Sequence, residues 1–159
     1  DRPGFWEGRT IQRPISKIPN VRRRIVGGYE VVRNSHPHQV ALLLTTSAGT
    51  SLCGGSIISY YTILTAAHCV EGTTSALAIA GAHNRLVTES TQQRQYQQSY
   101  MIHDYYDSRI IVNDIALLFG SGFTFNSYVQ SIYLPTSALT DQFVGWRTTV
   151  TGNVHLFFI

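Results

Sequence analysis

Charge is scarce in this chain of 159 residues: Asp, Glu, Lys and Arg together make up 13% of it, against the usual quarter of a soluble domain. With 43% apolar residues beside that, the composition is globular, and a disordered, self-repelling polypeptide is excluded. Cysteine is nearly absent. Only Cys53 and Cys69 occur, and a pair alone does not establish a disulfide. No apolar run is long enough to cross a membrane as a helix. Residues 1–24 lack the apolar core of a signal peptide. A glycine-rich phosphate cradle, an internal repeat and a long amphipathic helix are all missing, which sets aside nucleotide-binding loops, solenoids and helix bundles. The histidines offer no metal site either. His36-Pro37-His38 has no third ligand at a recognised spacing, so these two, with His83 and His103, read as surface residues.

What is present leans toward β-structure, through Thr, Ser, Tyr, Gly and Val in quantity. The sequence pI near 9.0 invites a nucleic-acid or membrane-surface partner, but the charge is unevenly placed. Residues 1–24 hold Arg2, Arg9, Arg13, Lys17, Arg22, Arg23 and Arg24 against Asp1 and Glu7, a net of +5. The remainder carries five basic and seven acidic residues, a net of −2. The basicity belongs to a leader, and the body has no nucleic-acid footprint.

That leader combines Pro3, Pro14 and Pro19 with dispersed charge and no periodicity, and reads as a flexible segment. The sharpest change of composition falls at Arg24/Ile25. Beyond it, short apolar stretches alternate with turn residues, as in a barrel or sandwich. Strands are predicted at Val40–Leu44, Ser51–Ile58, Thr62–Ala66, Leu77–Ala80, Gln95–Ile102 and Asp114–Phe119, with a turn around Gly49. The glutamines of Gln92–Gln98 suit an exposed strand face. Residues 120–146 suit a connector.

Three stretches carry chemistry. Thr65-Ala66-Ala67-His68-Cys69 sets a histidine beside a cysteine, and Asn113-Asp114 sets a carboxylate before the apolar run Ile115-Ala116-Leu117-Leu118. Arg22-Arg23-Arg24 runs directly into Ile25-Val26-Gly27-Gly28. An imidazole, with an ordinary pKa near 6.5, can take and return a proton at neutral pH. A carboxylate at the edge of a buried strand is costly without a partner, and His68 is the partner it suggests. The competing acids, Asp104 and Asp107, sit in a tyrosine-rich loop that reads as exposed. Together with Cys53-Gly54-Gly55-Ser56, these stretches resemble the chymotrypsin/trypsin-like serine endopeptidases, and the resemblance covers residues 25–152.

That resemblance implies an all-β fold: a chymotrypsin-like antiparallel β-barrel, the first of the family's two, with only the first strand of the second. The divisions it implies are a leader and activation segment at 1–24, the N-terminal barrel at 25–135, a connector and opening strand at 136–152, and an aberrant tail at 153–159. His68 would be the general base and Asp114 the acid that orients it. Cys53 and Cys69 would form a bridge closing the loop that presents His68, worth about 3 kcal/mol in the chain-entropy model. A bridge and the family together imply a secreted, extracellular protein. Cleavage between Arg24 and Ile25 by a trypsin-like or furin-like protease would activate a zymogen. The other partners implied are protein or peptide substrates and protease inhibitors. No cofactor, metal, nucleic acid or membrane is called for. Tyr60-Tyr61 and Tyr105-Tyr106 are expected to pack into the core or line the cleft beside His68.

The nucleophile is the missing piece. The family carries its serine in Gly-Asp-Ser-Gly-Gly-Pro, and no such motif occurs here. Ser56 lies in a predicted strand, and Ser121 sits in a plain Gly-Ser-Gly turn. After Arg147–Gly152 the sequence leaves the family pattern, and a Gly152-Asn153 codon pair can contain GTAA, the start of a splice donor. The expectation is a truncated chain, inactive by itself, since losing the serine of a related triad costs roughly 10⁶ in turnover. The alternative is a non-catalytic homologue that acts as a binding module. Substrate side-chain preference is not legible, because the residues that set it lie in the absent half.

Overall fold

The computed structural model describes residues 30–135, 147 and 149–152. Among these residues six antiparallel strands form the fold: β1 Gln39–Thr46, β2 Gly49–Ser59, β3 Thr62–Thr65, β4 Ser75–Ala80, β5 Gln93–Ile102 and β6 Ala116–Gly120. They close into a barrel in the order β1-β2-β3-β6-β5-β4. Closure pairs every strand on both sides, so no ladder edge is left open. One helical turn, α1 Ala67–Val70, lies between β3 and β4.

The interior follows from a period of two. Val40, Leu42 and Leu44 point inward from β1, with Ile57 from β2, Ile63 from β3 and Leu118 from β6, all fully buried. Across the β1–β4 ladder, Val40, Leu42 and Leu44 lie opposite Ala80, Ala78 and Ala76. Large residues against small ones fill the narrow barrel without strain. Each fully buried Val, Leu or Ile contributes about 1.5–3 kcal/mol relative to exposure. Gly55 makes room at the centre: a Cβ there would stand 2.7 Å from Ile63 Cγ2 and 3.2 Å from Leu42 Cδ1.

All six predicted strands are present, and four run two or three residues longer because their ladders continue into polar flanks. Two differ at the ends that matter for function. β3 stops at Thr65 and β6 begins at Ala116, so Asp114 precedes its strand and does not belong to it. The turn of helix at Ala67–Val70 had no periodic signal, being too short to display one. Around Gly49 the expected turn occurs, with Ser47 and Ala48 as the loop between paired Thr46 and Gly49. Residues 147 and 149–152 were expected to open a second barrel. Among the described residues nothing pairs with them as a ladder, although Thr151 Oγ1 donates to Gln39 Oε1 at 3.0 Å. Among the same residues no helix is long and apolar enough to cross a membrane.

Candidate active site

Strand register brings the histidine and the acid together. β3 and β6 are antiparallel neighbours with Thr65 opposite Ala116. The residues just after β3 and just before β6 therefore leave the barrel at the same end. His68 is three positions beyond Thr65, and Asp114 is two positions ahead of Ala116. Ala66 is extended, and Ala67–Val70 then turn as helix, burying Ala67, Cys69 and Val70 while His68 stays on the outer side.

The resulting contact is double. His68 Nδ1 lies 2.7 Å from Asp114 Oδ2, and the His68 backbone N–H donates to Asp114 Oδ1 at 2.8 Å. Ala66, at the helix start, provides no side-chain cap, so the carboxylate of Asp114 serves as a cap delivered from the loop before β6. A carboxylate accepts only, so Nδ1 is the donor of this pair, and in the neutral imidazole Nε2 then keeps its lone pair. The backbone N–H of His68, its imidazole and the N–H of Ala67 hold the Asp114 carboxyl below its ordinary range, against the opposing effect of burial. The imidazole is about half exposed and the Asp114 side chain about one-fifth. The acid is thus sheltered, and the base faces solvent.

Cys53 and Cys69 are bonded as a disulfide. It ties the middle of β2 to the helical turn, and Cys69 Sγ lies 3.5 Å from His68 Nε2. Cys53, His68 and Cys69 place ligand-type atoms within 4.8 Å of one another. The two sulfurs are bonded to each other, however, and supply no thiolate to a metal.

A protein-family model described as Trypsin matches residues 25–156. The chain belongs to the trypsin family. Brachyurin of Leptuca pugilator is 40% identical over 129 residues, covering 80% of this chain and 54% of that protein. Chymotrypsin-like elastase family member 1 of Canis lupus familiaris is 38% identical over 146 residues, covering 86% and 57%. Trypsin I-P1 of Gallus gallus is 34% identical over 151 residues, covering 92% and 58%. Among solved structures, that of GrC matches with a TM-score of 0.65 at 31% identity, over 69% of this chain and 48% of that one. An HL collagenase structure matches with a TM-score of 0.63 at 29% identity, over 69% and 47%. The chain spans about half the length of the curated relatives it matches.

Within this trypsin-family barrel the other candidates find different places. Arg24 and Ile25 lie outside the described residues. Ser56 sits in β2, paired with both Gln39 and Leu64. Ser121 follows β6, at the end away from Asp114, and its hydroxyl is bonded to Gln95 Oε1. Asp107 is engaged by Arg109. Tyr106 is partly buried against the core, and burial and then the charges of Glu71, Asp114 and Asp107 raise its pKa. Tyr60 and Tyr61 depart from expectation. They form the β2–β3 turn at the opposite end of β3 from His68, where Tyr60 stacks on Phe125 with ring centroids 4.0 Å apart.

One cluster escaped the sequence reading altogether. Glu89 is ion-paired with Arg33 and accepts the backbone N–H of His83 at 2.7 Å and of Asn84 at 3.1 Å. His83 Nε2 in turn meets Glu30 Oε1 at 2.7 Å. Burial pushes the Glu89 carboxyl up, but Arg33 and the two N–H donors outweigh it and hold the pKa at about 2. Arg33 and Glu89 are 56 positions apart, and no local pattern links them.

Proposed function

We propose that the chain is the histidine- and aspartate-bearing half of a secreted serine endopeptidase, made as a zymogen and activated by cleavage between Arg24 and Ile25. The observation that supports it most is the double contact of Asp114 with His68. Nδ1–H held on a carboxylate leaves Nε2 free to accept the proton of a serine hydroxyl, which is too weak a nucleophile without such a base. As the proton arrives, the imidazolium is stabilised by the same carboxylate. His68 is the general base on this reading, and Asp114 is the positioning residue. The substrates are proteins or peptides, and the partners are a trypsin-like or furin-like activator and protease inhibitors.

The nucleophile is not among these 159 residues in any family context, so the chain by itself is expected to be inactive. A serine-directed phosphonate should not label it, and stoichiometric labelling at Ser56 or Ser121 would overturn this reading. Sequencing the transcript across the Gly152 codon tests the larger claim. A message that continues to Gly-Asp-Ser-Gly-Gly-Pro supports the peptidase. A mature message that stops after Ile159 favours the second reading, a non-catalytic homologue whose barrel binds a protease, inhibitor or substrate; the absent serine motif is what keeps it open. The histidine–acid pair is testable in the chain as it stands. In Asp114→Asn, an amide replaces the carboxylate, and the imidazole ¹⁵N shifts of His68 should move from a pure Nδ1–H tautomer to a mixture. Unchanged shifts would remove Asp114 from its role.

A further inference from the structure

The loop that delivers Asp114 repeats the sequence of the activation junction. Arg24-Ile25-Val26 is an arginine followed by two β-branched residues, and Arg109-Ile110-Ile111 is the same arrangement at a second place. The loop is short and fully on the surface. Asp107 and Val112 form a two-bond bridge, with N–H to O distances of 3.2 and 3.4 Å, and residues 108–111 form the tip it closes. Arg109 is 86% exposed at its side chain, and Ile110 and Ile111 are 68% and 62% exposed.

Ile111 is also in the wrong conformation for its type. Its φ is +52°, a left-handed position at which a β-branched side chain crowds its own backbone and which glycine or asparagine ordinarily fills. Asn113, two residues on, has the same φ but is one of the residues that tolerate it. An exposed tip under backbone strain opens more readily than a relaxed one, and exposed tips are where proteolytic nicking concentrates.

We infer that Arg109–Ile110 is a second processing site for proteases that cut after basic residues, and that opening it unhooks Asp114 from His68. The step is a hydrolysis: water adds across the peptide bond, the C–N bond breaks, and Arg109 gains a carboxylate as Ile110 gains an ammonium group. The Arg109 side chain must first leave Asp107, whose oxygens it meets at 2.8 and 3.1 Å. The pair is bidentate, and the Arg109 backbone N–H also donates to Asp107 Oδ1 at 2.9 Å, so releasing it costs more than releasing an ordinary exposed pair. Of the other described arginines Arg147 is exposed as well, and the remaining three are worse targets. Arg33 is bound to the well-covered Glu89, the Nε of Arg85 is buried, and Arg94 lies in the β4–β5 ladder opposite Ile79.

The consequence follows from how Asp114 is held. Its strand β6 begins at Ala116, and ahead of it the backbone is fixed by Asn113 Nδ2 on the Tyr105 carbonyl at 2.8 Å and by His103 N–H on the Ile115 carbonyl at 3.1 Å. A cut two residues before Val112 frees Ile111 from its strained position and removes the covalent return that closes the loop. Those two hydrogen bonds survive the cut, but without the closed loop they alone hold the segment before β6, and the carboxylate samples positions away from the imidazole more often.

Limited digestion of the 159-residue chain with trypsin, followed by intact-mass and peptide mapping, tests the site. The Arg109–Ile110 bond should open before the bonds after Arg33, Arg85 and Arg94, and Arg109→Gln should abolish that fragment pair. Asp107→Ala, which releases the guanidinium, should speed the cut several-fold. Cutting after Arg33, Arg85 or Arg94 while Arg109–Ile110 stays intact would overturn the assignment. In the nicked chain the His68 ¹⁵N shifts should lose the pure Nδ1–H signature, and unchanged shifts would overturn the unhooking. Cleavage at Arg24–Ile25 is read separately in the same map, so failure at Arg109 leaves the zymogen reading standing.

Discussion

β1 and β5 are both walls of one barrel, and they are built from opposite materials. β1 is Gln-Val-Ala-Leu-Leu-Leu-Thr-Thr, with Val40, Leu42 and Leu44 fully buried. β5 is Gln-Arg-Gln-Tyr-Gln-Gln-Ser-Tyr-Met-Ile, and none of its residues is fully buried. Its partly covered residues are Gln93, Gln95 and Gln97, with Ile102 at its end packing on the core, whereas β1 is aliphatic from Val40 to Leu44. Gln93 bonds both the carbonyl and the N–H of Thr124, at 2.6 and 2.8 Å. β5 closes the barrel through its backbone ladders to β4 and β6 and ties down the loop after β6 with amides. One wall supplies the hydrophobic free energy, and the other supplies closure.

Truncating each wall should separate these roles. Leu42→Ala removes a buried aliphatic side chain from a filled interior and should lower stability by about 2–5 kcal/mol. Gln93→Ala removes two partly exposed hydrogen bonds, each worth about 0.5–1.5 kcal/mol net, so its loss should be roughly half or less. Urea midpoints of the two variants measure the ratio. Equal losses would mean that β5 contributes burial that its exposure does not show.

Acid should draw a second line between the regions. No residue of β1 titrates, whereas the loop after β4 depends on Glu89, whose pKa stands at about 2. A carboxyl depressed on folding adds stability above its unfolded value, near 4.3, and that contribution disappears as pH falls through the folded value. Asp114 and Asp107 are depressed as well and act in the same direction. Between about pH 5 and pH 2 the chain should therefore lose stability. Allowing for the exposure of Arg33, the share from Glu89 is about 2 kcal/mol. Glu89→Gln should be destabilised at pH 7 by that order and should converge on the parent near pH 2. Melting temperatures across this range check it, and parallel curves would mean that the Arg33–Glu89 pair is energetically idle.

The difference between the walls also explains what could be read from sequence. β1 announces itself as an apolar run, and β5 as a strand, but its glutamines Gln93, Gln95 and Gln97 lie on the partly covered face and not on the exposed one expected of them. His68 and Asp114 are 46 positions apart, yet each sits at a strand end whose ladder partner was visible as an apolar segment. What escaped notice has no period. The backbone contact by which Asp114 caps the turn at Ala67–Val70 depends on register, not on composition. The Arg33–Glu89 ion pair joins two loops, and loops are free of the alternation that makes strands legible. Tyr60-Tyr61 are expected in the core or along the cleft, but both are exposed at the β2–β3 turn, a place that follows from the direction of β3, a property of topology.

Two glycines bring the comparison down to a single methyl group. Gly55, in β2, faces the interior: an added Cβ would stand 2.7 Å from Ile63 Cγ2, 3.1 Å from the Leu64 carbonyl oxygen and 3.2 Å from Leu42 Cδ1. None of these can step aside without disturbing the core, so Gly55→Ala should cost about 1–3 kcal/mol. At Gly120, at the end of β6, the three atoms nearest an added Cβ all belong to the amide end of Gln97, at 2.8–3.1 Å. That group is the tip of a flexible β5 side chain and can rotate away. Gly120→Ala should therefore stay within about 0.5 kcal/mol of the parent. The same substitution on two strands of one barrel then reads the stiffness of what lies opposite, and a cost at Gly120 matching that at Gly55 would show that the glutamine face of β5 is packed as rigidly as the leucine face of β1.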